Sequence, residues 1–529
     1  MMLTQASLFC PPTKFSLEKI PHKITKVSLF GDHGKNHVLR SRSCGRLSVN
    51  YNGYPYFTSP RHPLESELAT QEVDCSTARD GSGIGIVNFF EGKNIFITGG
   101  TGLVGKVLVE KLLRSTSVGK IYLLVKADDK ETVSQRLSKE IIHSELFECI
   151  RETYGSSYEE FVREKLIPVA GNICEPNLGM DTYYTHTITE EVDVIIGSAA
   201  STNLNDRYDF SLDVNVNAPQ RLMRFAKTCK NLKLFVHVST AYVNGRREGL
   251  IFENPLSMGE NGRKEDDRTS SSFFPWLDVT DEINLVMKSC IASTEYDSTK
   301  NLKRLGLERA AFYGWYTTYH MTKAMGEMVI NEIRGDVPVL IIRPSVIESS
   351  YKEPSPGWIQ GNRMFDPVIM SYGKGLLPAY LADPDVYMDI VTIAKHGIVK
   401  KPDLNVYHAA TNFVNPLQYS EFFDYIYEYF NAKPATPSAG SIAKMKLFKE
   451  FSDFSKYIRD ELLDGNGVTN APDLNKVRLQ KLQKQYKAKV AYAELCKMYE
   501  FIGFFSSKVS YGQHSEVIRR DVGRGAALF

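Results

Sequence analysis

The sequence predicts an α/β protein: a Rossmann-type doubly wound parallel sheet with a smaller, mainly helical C-terminal domain. Three observations carry this. A β-rich run, Lys93-Asn-Ile-Phe-Ile-Thr98, passes directly into Gly99-Gly-Thr-Gly102-Leu-Val-Gly105 and then into a segment with Val104, Val107, Leu108 and Leu112 at helical spacing. Strand-like runs recur at 121–125, 166–170, 192–196, 234–238 and 337–342, with helical patterns between several of them. The chain has 529 residues, 43% hydrophobic and 11% aromatic, enough for two domains and an appendage with a sizeable core.

Residues 1–83 read as a transit peptide and linker, outside the fold. Residues 1–50 hold eight Lys/Arg, nine Ser/Thr and only two acids, Glu18 and Asp32, without a clean apolar stretch. That composition suits an organellar transit peptide better than a secretory signal, with the plastid as destination and the mitochondrion as the alternative. Residues 51–83, with Pro55, Pro60, Pro63 and Gly81-Ser-Gly83, read as linker. Residues 84–400 are then the domain of the parallel sheet, opened by the glycine-rich turn, and 401–529 the helical C-terminal domain.

Several function classes fall away on composition. A net charge of +2 excludes nucleic-acid binding driven by bulk charge. Eight cysteines without a CxxC pair argue against a disulfide scaffold or zinc ribbon. No His/Cys/Asp cluster offers a metal site, so none is expected. No apolar run approaches the ~18–20 residues that span a bilayer, so the body is expected to be soluble.

The glycine turn predicts a dinucleotide site. Gly99 permits the tight turn, Gly102 lets the backbone approach a pyrophosphate, and Gly105 allows close helix packing. The helix start, with Thr101, Leu103 and Val104, presents free N–H groups to the phosphates. Lys126 lies at the end of the second strand, 21 residues past Gly105. A cation there suits the extra phosphate of NADPH, whereas Asp128 and Asp129 just beyond suit NAD; NADPH is the favoured cofactor. The C-terminal ends of the strands add Thr98, Asn172, Ala199, Pro344 and Val346 to the expected cofactor site.

Tyr319-His-Met-Thr-Lys323 is a YxxxK, which on a helix puts the phenol and the ammonium on one face. A nearby cation lowers the Tyr pKa, which suits the proton donor to a developing alkoxide, and Lys323 also belongs to the expected cofactor site. Ser239 and Thr240 end a strand and are placed to hold the same oxygen. His320 and His237 read as packing residues.

These motifs, with longer stretches around them, resemble the plant alcohol-forming fatty acyl-CoA reductases of the extended short-chain dehydrogenase/reductase superfamily, of the plastid-targeted type. The stretches are Thr98–Lys111, Ile195–Asn203, Phe235–Gly245, Tyr313–Met328, Ile342–Ser345 and Lys352–Gly361. The resemblance spans about residues 90–500. It implies NADPH-dependent reduction of a long-chain fatty acyl thioester, on CoA or acyl carrier protein, through an aldehyde to a primary alcohol. It also implies that Asn215 is the family's asparagine behind the active site, alongside catalytic Ser239, Thr240, Tyr319 and Lys323. The polar segment 260–309 resembles the family's insertion, expected as part of a lid.

The chain departs from the family pattern in three places. Asn172 stands where Asp is usual. After Val391 about a dozen residues of a Pro-Ala-Asp helix are missing. The ending, Phe501–Phe529, is atypical. A basic stretch from Lys476 to Lys489 holds six cations and no acid, reading as a solvated helix face or as a dock for an acidic carrier or peripheral membrane contact. The alternatives to an acyl reductase are a nucleotide-sugar epimerase or dehydratase of the same superfamily, or an inactive nucleotide-binding isoform.

Overall fold

Seven strands, each four to six residues long, form the sheet that positions everything else: β1 Ile95–Thr98, β2 Ile121–Val125, β3 Leu166–Ala170, β4 Val194–Gly197, β5 Leu234–Val238, β6 Val339–Pro344 and β7 Leu404–Ala409. All pairings are parallel, in the order β7-β6-β5-β4-β1-β2-β3. The order reverses between β1 and β4, and the crevice beyond the C-terminal ends of those two strands is where such a sheet takes its ligand. The computed structural model describes residues 85–127, 130–263, 275–292, 295–388, 390–391, 404–409, 417–435, 442–459 and 509–511. The transit segment, Asp128 and Asp129, the shortened stretch after Val391 and the basic stretch 476–489 fall outside these residues, as does most of Phe501–Phe529.

The strands are buried on both faces, which explains their near-continuous apolar runs. Ile95 and Ile97 of β1 join Ile121, Leu123 and Val125 of β2 in one core with Val109, Leu112 and Leu113 of helix α1 (Leu103–Ser115). Phe96, Tyr122 and Leu124 point the other way, against Leu222, Met223 and Phe225 of α2 (Ala218–Ala226). Each such side chain contributes about 1.5–3 kcal/mol on burial.

A third core forms where the segment expected as a lid meets the sheet domain. Helices α3 (Val279–Ala292) and α4 (Glu295–Tyr313) put Val286, Leu302, Ala310 and Tyr313 against Met321, Met325 and Met328 of α5 (Thr318–Ile333). Glu282 on α3 is buried and accepts hydrogen bonds from Tyr208 and from Arg309 of α4. These two helices are therefore built into the core beside α5; residues 264–274 of the insertion lie outside the described set.

One boundary moves. Leu404–Ala409, placed by sequence at the opening of the helical domain, is the edge strand of the main sheet, paired with β6 over six residues. Its alternating burial is that of a strand. Among the described residues after β7 the first helix is α6 (Tyr419–Ala432), whose Phe423, Ile426 and Phe430 share a core with Phe365, Tyr372 and Tyr380. Among the described residues no helix is long and apolar enough to cross a membrane.

Candidate active site

The turn from β1 into α1 is made of backbone against backbone. Gly99 has φ 75°, and a Cβ there would lie 2.5 Å from the Ala199 nitrogen at the end of β4. A Cβ on Gly105 would lie 2.2 Å from the Gly99 oxygen. Gly102 stands before α1 without a side chain to cap it, so the first-turn N–H groups at Leu103, Val104 and Gly105 are left for another acceptor. Thr98, buried at the end of β1, has a hydroxyl with no partner. Open helix donors, a cradle that any Cβ would fill and an orphaned hydroxyl fit the pyrophosphate of a nicotinamide dinucleotide. Thr101 is half-buried in the turn itself.

Lys126 is exposed just past β2, and its carbonyl accepts a hydrogen bond of 2.6 Å from Arg136 Nη1. Arg136, which the sequence reading did not single out, also reaches this strand end, its guanidinium already paired with Glu140 at 2.9 Å. Asn172, after β3, donates from Nδ2 to Glu175 at 2.8 Å and accepts from the Cys174 backbone at 3.1 Å. An aspartate could not donate to Glu175, so this Asn belongs to its own turn. The Lys352–Gly361 stretch docks on the outside of α1: Glu353 pairs with Lys111 at 3.0 Å and with Arg114, and Gln360 accepts from buried Lys106 at 3.2 Å.

Around β5 the construction is of side chains. Ser239 and Thr240 leave the strand, both buried, and the Ser239 hydroxyl has no hydrogen-bond partner. Thr240 donates weakly to the Pro344 oxygen at 3.4 Å, at the end of β6, and lies near enough to the Tyr319 phenol to favour its ionised form. Val346, two residues on, is buried and pairs with Ile390. Tyr319 and Lys323 sit on α5, which the Thr317 side chain caps.

The expected lowering of the phenol by its lysine is not what the geometry gives. Burial pushes Tyr319 up to about 12, opposed only by the Thr240 side chain. The Lys323 ammonium turns instead to the Val238 carbonyl at 2.9 Å, with His237 Nε2 at 3.4 Å. Burial draws Lys323 down to about 8 despite Glu327. His237 is held well below its ordinary value by burial and by the Lys323 charge, so it faces the lysine neutral. His320 is buried between the rings of Tyr242 and Tyr319, a packing residue.

Two features behind the site depend on contacts far apart in sequence. Asn215 lies in a π-helical turn, Asp213–Asn217, and is 1% exposed. Its Oδ1 accepts from the Ser201 nitrogen at 3.0 Å, and its Nδ2 donates to Ser201 O and Thr322 Oγ1, each at 3.1 Å. It thus ties the β4 loop to α5. The helix comes close enough because Gly326 has no Cβ, which would meet the Asn215 oxygen at 2.2 Å. One turn below Lys323, Glu327 pairs with Arg343 of β6 at 2.6 Å, both fully buried. Arg343 also donates to Asn254 O at 3.0 Å and faces His408 of β7 at 3.4 Å. The sequence reading missed this pair; its only local trace was charged residues inside apolar runs.

Residues 97–394 match an NAD-binding family described as "Male sterility protein". The chain is 44% identical over 447 residues, 80% of its length and 72% of the other, to "Fatty acyl-CoA reductase 2, chloroplastic" from Arabidopsis thaliana. It is 36% identical, over 70% of its length and 78% of the other, to "Alcohol-forming fatty acyl-CoA reductase" from Simmondsia chinensis. Among solved structures, a reductase domain of a nonribosomal peptide synthetase from Mycobacterium tuberculosis overlays with a TM-score of 0.45 and 19% identity, covering 83% of this chain and 87% of that one.

Proposed function

The chain belongs to the fatty acyl-CoA reductase family, and we propose that it reduces a long-chain fatty acyl thioester to a primary alcohol with NADPH, in the plastid. Membership in the family makes a nicotinamide cofactor and an acyl thioester the chemistry to be accounted for. The observation that carries the reading is the buried, unpartnered Ser239 hydroxyl at the end of β5, next to Thr240, which stands near the Tyr319 phenol. A reacting carbonyl oxygen supplies the acceptor that the Ser239 hydroxyl lacks.

Thr98 to Gly105, Ala199, Lys323, Pro344 and Val346 would hold the dinucleotide, with Asn172 supporting the turn after β3 and Lys126 taking the extra phosphate. The bound nicotinamide supplies the hydride that goes to the thioester carbonyl carbon. Tyr319 donates a proton to the oxygen as charge develops there, and Ser239 and Thr240 hold that oxygen in place. A phenol raised to about 12 stays protonated at neutral pH and is ready to donate. Lys323 stands on the same helix face, and on leaving the Val238 carbonyl its ammonium would stabilise the phenolate left behind. The hemithioacetal then expels the thiol, leaving an aldehyde that a second round of the same steps converts to the alcohol. Asn215 holds the β4 loop and α5 in register for this.

The direct test is incubation of the full chain with NADPH and either palmitoyl-CoA or a nucleotide sugar, with lipids analysed by gas chromatography. Hexadecanol from the first alone supports the reading; sugar conversion would favour the epimerase alternative, and neither product the inactive one. For the cofactor, Lys126→Ala should weaken NADPH roughly tenfold while leaving NADH nearly unchanged; equal losses would remove Lys126 from the phosphate site. Fusion of residues 1–80 to a fluorescent protein tests plastid import, and diffuse cytosolic fluorescence would discard it.

A further inference from the structure

Two consecutive arginines follow the turn that carries Ser239 and Thr240, and they are treated differently. Arg247 is neutralised, donating to Glu260 at 2.9 Å and to Asn261 O at 3.0 Å. Among the described residues the half-buried Arg246 has no salt bridge, and its Nε is buried without a hydrogen-bond partner. Its guanidinium lies over the ring of Tyr316, 5.2 Å from the centroid. Its backbone is fixed, the N–H donating to Gly262 O and Gly314 O, so the side chain is held in place from both ends. An orphaned guanidinium N–H costs free energy unless an acceptor meets it.

The position of this cation limits what the acceptor is. Tyr316 precedes Thr317, the cap of α5, and stands three residues before Tyr319, at most about 10 Å along the chain. Tyr316 packs on the core that contains Ala241 and Tyr242, directly after Thr240. Arg246 therefore sits beside the two segments that bear the proposed catalytic groups. The cofactor's phosphates belong at the β1–α1 turn and at Lys126, on the other side of the strand-order reversal from β5. The acyl chain and the thioester are uncharged. The anion left over is on the thiol side of the substrate: the phosphate of the phosphopantetheine arm, shared by CoA and acyl carrier protein. Arginine matches a phosphate in charge and in fork geometry.

We propose that Arg246, stacked on Tyr316, binds the phosphopantetheine phosphate of the acyl thioester and so anchors the thiol arm while the carbonyl lies at Tyr319. This rests on the acyl-thioester reading of the site.

The test compares three palmitoyl thioesters on the full chain: of CoA, of 4′-phosphopantetheine and of N-acetylcysteamine, which has no phosphate. Arg246→Gln should raise KM roughly tenfold or more for the first two, with kcat/KM for the third unchanged. Arg246→Lys, which keeps the charge and loses the fork, should fall between. No change with the first two overturns the proposal, as does an equal loss with all three, which would mark Arg246 as structural. A loss confined to CoA also overturns it, because the contact would then be with the nucleotide end. If the unaltered chain reduces none of the three, the function reading fails, and calorimetric titration with phosphopantetheine decides this proposal separately. Binding weakened by Arg246→Gln supports it and equal binding sinks it.

Discussion

The two halves of the site are made by opposite means. At the β1–α1 turn the chain removes side chains: Gly99, Gly102 and Gly105 let backbone meet backbone and leave helix N–H groups open. At the ends of β5 and β6 the chain adds polar side chains and leaves some of them unsatisfied, such as the Ser239 hydroxyl. The first kind of site is sterically exact and tolerates almost no change; the second holds groups at an energetic disadvantage of about 1–3 kcal/mol each, which a bound partner relieves. On the proposed reading, binding a constant pyrophosphate and stabilising a charge that appears only during reaction are different tasks, and the construction suits each.

The largest effect expected is at the first half. Gly105→Val places a branched Cβ 2.2 Å from the Gly99 oxygen, and should abolish NADPH binding together with native thermal unfolding. Retained binding, measured by fluorescence titration, would break the contrast. At the second half, Tyr319→Phe should lower alcohol formation by roughly 10²–10⁴-fold with NADPH affinity kept; turnover like that of the unaltered chain removes Tyr319 as proton donor. Glu327→Ala leaves Arg343 charged and buried, so a loss of about 3–5 kcal/mol is expected in urea denaturation. A loss under 1 kcal/mol would show that α5 is held by its apolar contacts alone.

Smaller effects sharpen the comparison. Lys323, drawn to about 8 by burial, is cationic below that pH and neutral above it. The rate should therefore fall as pH rises through about 8, and a flat profile from 7 to 9.5 would take the ammonium out of the mechanism. Ser239→Ala should cut the rate yet raise stability slightly, by up to ~1 kcal/mol, since it deletes a hydroxyl without a partner. A lower melting temperature in that variant would mean the hydroxyl stabilises the resting fold.

The same contrast explains what was legible. The glycine turn was readable because its requirement is local: a strand, three glycines and a helix within about 25 residues. Tyr319, Lys323, Ser239 and Thr240 were readable because spacing on one helix and position at one strand end are also local. The direction in which the Lys323 ammonium points was not, because the Val238 carbonyl and His237 that receive it lie more than 80 residues away. The π-turn at Asn215 was hidden for the same reason, since the room for it is made by Gly326. At Leu404–Ala409 an alternating pattern was present, but the helical run beyond 419 hid it, and only pairing with β6 places it in the sheet.

The buried Glu327–Arg343 pair also has a consequence for the order in which the chain is made. His408 completes its surroundings, 65 residues after Arg343. At roughly 5–20 residues per second of synthesis, α5 and β6 wait about 3–13 s for the edge strand that closes over their charges. Any nascent chain that ends near residue 394, although it contains the whole family match, leaves the ribosome with that flank of the sheet open. During this interval the buried charges of α5 and β6 are without the cover that β7 later gives them.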